Sequence, residues 1–168
     1  MENKQFDEVY LAGGCYWGLE KLLLELPGVI NTEVGFAGGH IKNVCYKEVT
    51  KGDTGHAETV KVIFDDNHLK FHDLLSYFFK IHEPTTINQQ GNDRGSQYRS
   101  VIFCTNIDQE VIAKKVIDLV NQSTVWGAPI VTEIEKYDVF YPAEESHQKY
   151  LQKNPDGYSC HFKRNLIF

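Results

Sequence analysis

The chain has 168 residues, of which 42% are hydrophobic and 24% charged, and a formal net charge of −6. That length and balance suit a single domain, residues 1–168, built on one sizeable core, and they exclude a disordered chain. The acidic excess argues against a general nucleic-acid surface.

The N-terminus, MENKQFDEVY, is polar and lacks the apolar run of a secretory signal. No stretch is long and apolar enough to span a membrane, so no membrane association is expected. The expected location is the cytoplasm, where thiols stay reduced. Val9–Ala12 reads as a short strand. Leu19, Leu22, Leu23 and Leu26 recur at helical spacing, which predicts an amphipathic helix over Cys15–Leu26, ended by Pro27-Gly28. Val29–Phe36 reads as a strand, followed by a loop at Ala37-Gly38-Gly39. Val60, Val62 and Phe64 alternate with Thr59, Lys61 and Ile63, which predicts a strand over Glu58–Phe64.

Phe71, Leu74, Leu75 and Phe78 mark a second helix. Pro84 to Gln97 is polar and glycine-bearing, a long loop. Arg99–Thr105 reads as a strand, and Ile112, Val116, Leu119 and Val120 as a helix. Pro129–Phe140 reads as a strand region and Ala143–Lys153 as a short helix. Asn154–Phe168 shows no periodicity and reads as a movable tail. The mix predicts an α+β fold: a two-layer sandwich of one mixed sheet with packed helices and a long irregular C-terminal tail.

The four cysteines, at 15, 45, 104 and 160, form no CxxC pair and no zinc-like spacing. His56, His82, His147 and His161 lie in separate segments without HxxxH or HExxH spacing, so no metal is expected. Cys15 stands apart from the other cysteines, in LAGGCYWGLEKLL. It falls at a turn between two glycines and two large aromatics, where a helix should begin. Free N–H groups and the positive dipole end of a helix favour a thiolate there and lower the thiol's pKa. The plainer alternative is a buried cysteine at a corner, with Tyr16 and Trp17 as core. Cys104, mid-strand in VIFCT, reads as core.

GGCYWG resembles the signature of the A-type methionine sulfoxide reductases, in which Phe usually stands where this chain has Tyr16. YKEV (46–49), TGHAE (54–58), HEPTT (82–86), QGNDRGSQYRS (90–100) and AEESHQKYL (143–151) match further segments of that family in order, over roughly residues 8 to 163. Ser146 replaces the usual Tyr before His147. The resemblance implies a peptide-methionine (S)-S-oxide reductase with a ferredoxin-like core, acting on free or protein-bound methionine S-sulfoxide. It implies Cys15 as nucleophile and Glu58 as acid. Tyr46 and Tyr98 would donate to the sulfoxide oxygen, and Asp93 would hold the site by hydrogen bonds. Tyr16 and Trp17 would form the methyl pocket. Local composition alone gives a glutamate such as Glu58 the commoner fate of a solvated strand end. Attack leaves a sulfenic acid on Cys15, which condenses with a thiol. The resemblance points to Cys160 as the resolving cysteine, with Cys45 a competitor or bystander. No bound cofactor is implied; thioredoxin or another dithiol would be reductant and partner. A monomer is expected. His147 reads as structural. A thiol peroxidase would not need the aromatics of GGCYWG, and a sulfoxide-binding module would not need both Cys15 and a mobile Cys160.

Overall fold

The computed structural model describes residues 6–168, so the first five residues of the polar N-terminus lie outside the described chain. Its eight strands are β1 (Phe6–Gly13), β2 (Val29–Ala37), β3 (Ala57–Asp65), β4 (Gln89–Gln90), β5 (Asp93–Arg94), β6 (Ser100–Cys104), β7 (Glu133–Lys136) and β8 (Phe140–Pro142). The five α-helices are α1 (Tyr16–Leu24), α2 (Tyr46–Val49), α3 (Phe71–Ile81), α4 (Ile107–Ser123) and α5 (Tyr150–Lys153). Six strands form one mixed sheet in the order β7-β6-β1-β3-β2-β8, while β4 and β5 form a small hairpin. Within the large sheet every pairing is antiparallel except β6 with β7. No helix among the described residues is long and apolar enough to cross a membrane.

Alternation along the strands divides the interior in two. Val9 and Leu11 of β1, Val60, Val62 and Phe64 of β3, and Val34 and Phe36 of β2 join Leu19, Leu23, Leu74, Phe78, Val116 and Val120 of the helices in the main core. Tyr10, Ala12, Ala37, Ala57, Val101 and Phe103 point the other way, into a smaller cluster closed by Tyr137 and Phe140. Each fully buried leucine in the main core contributes roughly 1.5–3 kcal/mol relative to exposure. The Asn106 side chain caps α4, accepting from the Gln109 N–H at 2.9 Å.

Four expectations change. The first helix begins at Tyr16, with Cys15 as its N-cap, and stops at Leu24 two residues before Leu26, because the chain is already turning toward Pro27. The region Pro129–Phe140 carries only β7, and β8 follows it from Phe140. The segment Ala143–Lys153 is not one helix. A 3₁₀ turn at Glu145–His147 and α5 are separated by Lys149, whose φ of 51° no α-helix continues through. The tail Asn154–Phe168 is irregular yet anchored: the Arg164 N–H donates to the Lys80 carbonyl at 2.9 Å, and Phe168 packs on the core.

Candidate active site

Strand register brings the site together. Ala12 near the end of β1 pairs with Thr59 near the start of β3, and Gly13 pairs with Ser100 at the start of β6. The chain beyond β1, the first residues of β3 and the residues preceding β6 therefore share one edge of the sheet. Cys15, Glu58 and Tyr98 occupy those three places. At Gly14 the backbone takes a φ of 90°, which suits only glycine there. Gly13 has no room for a side chain: a Cβ would lie 2.9 Å from the His82 ring and 3.2 Å from Phe78. His82 is itself buried, with Nδ1 2.6 Å from the Phe78 carbonyl and Nε2 2.8 Å from Ser100 Oγ. Burial holds its pKa down to about 3, so it is a neutral structural wedge under the turn.

Cys15 caps α1 and is 8% exposed. The expected lowering of its thiol pKa is overturned. Burial pushes the thiol well above its ordinary value, the charges of Glu58 and Asp93 push the same way, and the Trp17 N–H opposes them. The helix N-terminus is present, but in this closed arrangement desolvation outweighs it. Glu58, 1% exposed, faces the main core beneath the start of α1, and one oxygen accepts from the Tyr16 N–H at 3.3 Å. Its other oxygen has no hydrogen-bond partner among the described residues. Burial, aided by the Asp93 charge, raises its pKa to about 8, so the carboxyl is protonated at neutrality.

Tyr46 opens α2, with its N–H donating to Glu144 at 3.1 Å. Burial and the nearby charge of Glu58 push its phenol up to about 12. Tyr98 closes the 3₁₀ turn Ser96–Tyr98, and its phenol is raised by burial and the same neighbours, Glu58 and Asp93 among them. Both therefore keep their protons and are hydrogen-bond donors. Asp93, in β5, accepts from the Tyr158 hydroxyl at 3.2 Å and from Cys160 Sγ at 3.7 Å. Trp17 stacks on Tyr150 with ring centroids 3.8 Å apart.

Tyr16 lies deeper than a pocket wall. It is fully buried among Phe36, Tyr46 and His147, and its hydroxyl has no partner among the described residues. His147 carries more than the structural role read from sequence. It accepts the Trp17 indole N–H at 3.0 Å, and its ring centroid sits 4.3 Å from that of Tyr46. Glu144, Tyr150, Tyr158 and His161 also border the site, and sequence reasoning misses all four. The signal available for the first two is the AEESHQKYL block itself, which reads as a helix. Cys45 caps α2, its backbone N–H and its thiol both donating to Glu48 at 3.2 Å. Cys104 is buried in the core, and all four cysteines are free thiols. No cluster of three or more potential metal-ligating side chains occurs among the described residues.

A sequence profile described as peptide methionine sulfoxide reductase matches residues 7–167. The chain belongs to the peptide methionine sulfoxide reductase family. It is 44% identical to the enzyme MsrA 2 of Rhodopirellula baltica, over 94% of this chain and 92% of that protein. It is 47% identical to MsrA of Mycobacterium tuberculosis, over 92% and 82% respectively. The fold superposes on reduced Mxr1 of Saccharomyces cerevisiae with a TM-score of 0.87 and 37% identity, covering 98% of this chain and 95% of that one. Mxr1 crystallised in complex with Trx2 gives a TM-score of 0.64, at 23% identity over 98% and 94% of the two chains. The chain sets Cys15, the buried Glu58 and Tyr98 at one end of the sheet, with Tyr46 near Glu58 at the start of α2.

Proposed function

We propose that this protein reduces methionine S-sulfoxide, free or within proteins, to methionine. The observation that carries the reading is the pairing of Cys15 at the α1 N-cap with a carboxyl that burial keeps protonated near neutrality. A sulfoxide oxygen gains negative charge as its sulfur is attacked, and a positioned acid stabilises that charge. Glu58 supplies the proton, while Tyr46 and Tyr98 donate hydrogen bonds to the same oxygen. Trp17, braced by Tyr150 and His147, offers an aromatic face to the methyl group. Tyr16 backs that wall from below. Cys15 Sγ attacks the sulfoxide sulfur; the protonated oxygen passes from that sulfur to Cys15 Sγ as the substrate S–O bond breaks, the transient bond between the two sulfurs breaks as methionine departs, and Cys15 is left as a sulfenic acid.

Cys160 then forms a disulfide with Cys15, and a thioredoxin-type dithiol reduces it by exchange. The Mxr1–Trx2 complex supports that choice of reductant. We place the reaction in the cytoplasm, where such dithiols are kept reduced. The central strand order β6-β1-β3-β2, all antiparallel, supports a ferredoxin-like description of the core.

The test is a single-turnover assay without reductant, on separate S and R epimers, followed by acid quench and mass mapping of the cysteines. One equivalent of methionine from the S epimer alone, with a Cys15–Cys160 disulfide, is expected. No methionine from either epimer, with Cys15 still a thiol, refutes the reading.

A further inference from the structure

The tail brings Cys160 to a particular neighbour. The His161 ring lies 2.6 Å from the Gly13 carbonyl through Nε2, which fixes the proton on that nitrogen. A Cβ on Gly18 would sit 2.5 Å from Ser159 Oγ and 2.7 Å from His161 Nδ1, so the tail lies directly on the first turns of α1. Cys160 rests over Gly91, where a Cβ would be 3.4 Å from its own Cβ. Its thiol points at Asp93 Oδ2, 3.7 Å away, and the Tyr158 hydroxyl donates to that same oxygen at 3.2 Å. The Gln90 carbonyl, at 4.0 Å, and His161 Nδ1, at 3.8 Å, also lie within reach of the thiol, and the Tyr158 hydroxyl hydrogen-bonds it.

We propose that Asp93 is the general base of the second chemical step, taking the proton from Cys160 as that sulfur attacks the Cys15 sulfenic acid. This rests on the reading of the first step given above and assigns Asp93 a duty beyond holding the substrate side of the site. The carboxylate oxygen takes the thiol proton, and Cys160 Sγ bonds to Cys15 Sγ. The Cys15 S–O bond breaks, and the departing oxygen leaves as water, receiving the proton that Asp93 accepted. Both sulfurs end in the disulfide, and Asp93 ends as it began. A carboxylate fits the task better than its neighbours. The Gln90 carbonyl cannot hold a proton. The His161 imidazole is slightly farther, at 3.8 Å, its ring is tied to the Gly13 carbonyl, and burial pushes its pKa down. Burial raises the Cys160 thiol, and the Asp93 charge raises it further, so this thiol needs a base to react near neutrality. Besides Asp93, the titratable groups facing Cys160 are Tyr158 and His161 on the tail, Arg164 beyond them, and Cys15 across the turn.

The experiment compares the full-length protein with Asp93→Asn, which keeps an acceptor oxygen but cannot take up the proton. Single turnovers on methionine S-sulfoxide without reductant are quenched in acid. Methionine is quantified for the first step, and the Cys15–Cys160 disulfide is mapped by mass for the second. Cys15 sulfenic acid is also generated directly with hydrogen peroxide, so the second step is read even if the variant is slow in the first. Asp93→Asn is expected to form the disulfide at least tenfold more slowly at pH 7, given that a positioned base typically contributes about 100-fold or more. The sulfenic acid should accumulate and be trapped by dimedone. The defect should shrink as pH rises and Cys160 ionises unaided, which loss of a merely structural contact would not produce. Disulfide formation at the unmodified rate, or a defect constant with pH, overturns the assignment. Absence of methionine from the unsubstituted protein refutes the proposed function itself, a result the peroxide-loaded arm keeps distinct.

Discussion

Glu58→Gln separates what the buried carboxyl does for chemistry from what it does to stability. Burial moves the carboxyl from its ordinary 4.5 to about 8 in the fold. An acid whose pKa is raised on folding binds its proton more tightly folded than unfolded. Its favourable contribution is complete below the unfolded value and is lost as pH rises toward the folded one. The slope in that window is about 1.4 kcal/mol per pH unit, so this one group lowers stability by about 3 kcal/mol between pH 5 and pH 8. The amide of the variant does not titrate and keeps an oxygen for the Tyr16 N–H. Urea denaturation of both proteins at pH 5, 6, 7 and 8 tests the reasoning. The unsubstituted protein should lose about 3 kcal/mol relative to Glu58→Gln across the series. Methionine formation by the variant should fall by at least 100-fold, the scale of a lost general acid. A stability difference that stays flat from pH 5 to pH 8 would show that Glu58 ionises like a solvated carboxyl, and the acid role would lose its basis.

Tyr16→Phe deletes a buried hydroxyl that has no partner among the described residues. Thermal melts should show a gain of about 1 kcal/mol, with turnover changed less than about twofold. Cys45→Ser keeps a capping side chain at the start of α2, so stability should hold within about 0.5 kcal/mol. Dithiol-driven turnover should also persist; its loss would move the resolving role to Cys45. Cys104→Ala should cost about 1 kcal/mol in chemical denaturation, as a small cavity in the core, and leave turnover unchanged. Gly18→Ala drives a methyl group into Ser159 and His161 and lifts the tail. A methionine burst should survive in rapid quench, while steady recycling by a dithiol falls at least tenfold, the scale expected of a misplaced reacting group.

The fold is legible wherever side chains repeat with a period. Val60, Val62 and Phe64 announce β3, and Phe71, Leu74, Leu75 and Phe78 announce α3. It is illegible where backbone geometry decides. The left-handed Lys149 breaks what reads as one helix into a 3₁₀ turn and α5, and no periodicity signals such a residue. Of the site, the cysteine at its turn can be singled out from local sequence, because glycines and aromatics around a helix start are unusual in themselves. Glu58 cannot, since a glutamate at a strand end is ordinary until strand register sets it beneath α1. The family resemblance supplies that step. It does not supply the direction of the Cys15 shift. The helix start is visible in the sequence, but the burial that outweighs it comes from a whole sheet edge closing over the thiol.

That reversal constrains the proposed reaction. With Glu58 protonated and Cys15 a thiol, the resting pair holds two protons, and a charge on Glu58 disfavours ionisation of Cys15. Losing both at once would put two charges into a buried site. The arrangement favours a passage in which Glu58 gives its proton to the sulfoxide oxygen while the Cys15 proton moves toward the vacated carboxylate. The pair then passes from two protons to one and never to none, and titrates as a unit. The measurable consequence is that alkylation of Cys15 by iodoacetamide at pH 7 should be slower than that of a free thiol. Glu58→Gln should speed that alkylation only at pH values above about 8, where the native carboxylate is charged. Rapid alkylation of Cys15 in the resting protein at pH 7 would mean that the thiolate is already present, and the proton-sharing scheme would fail.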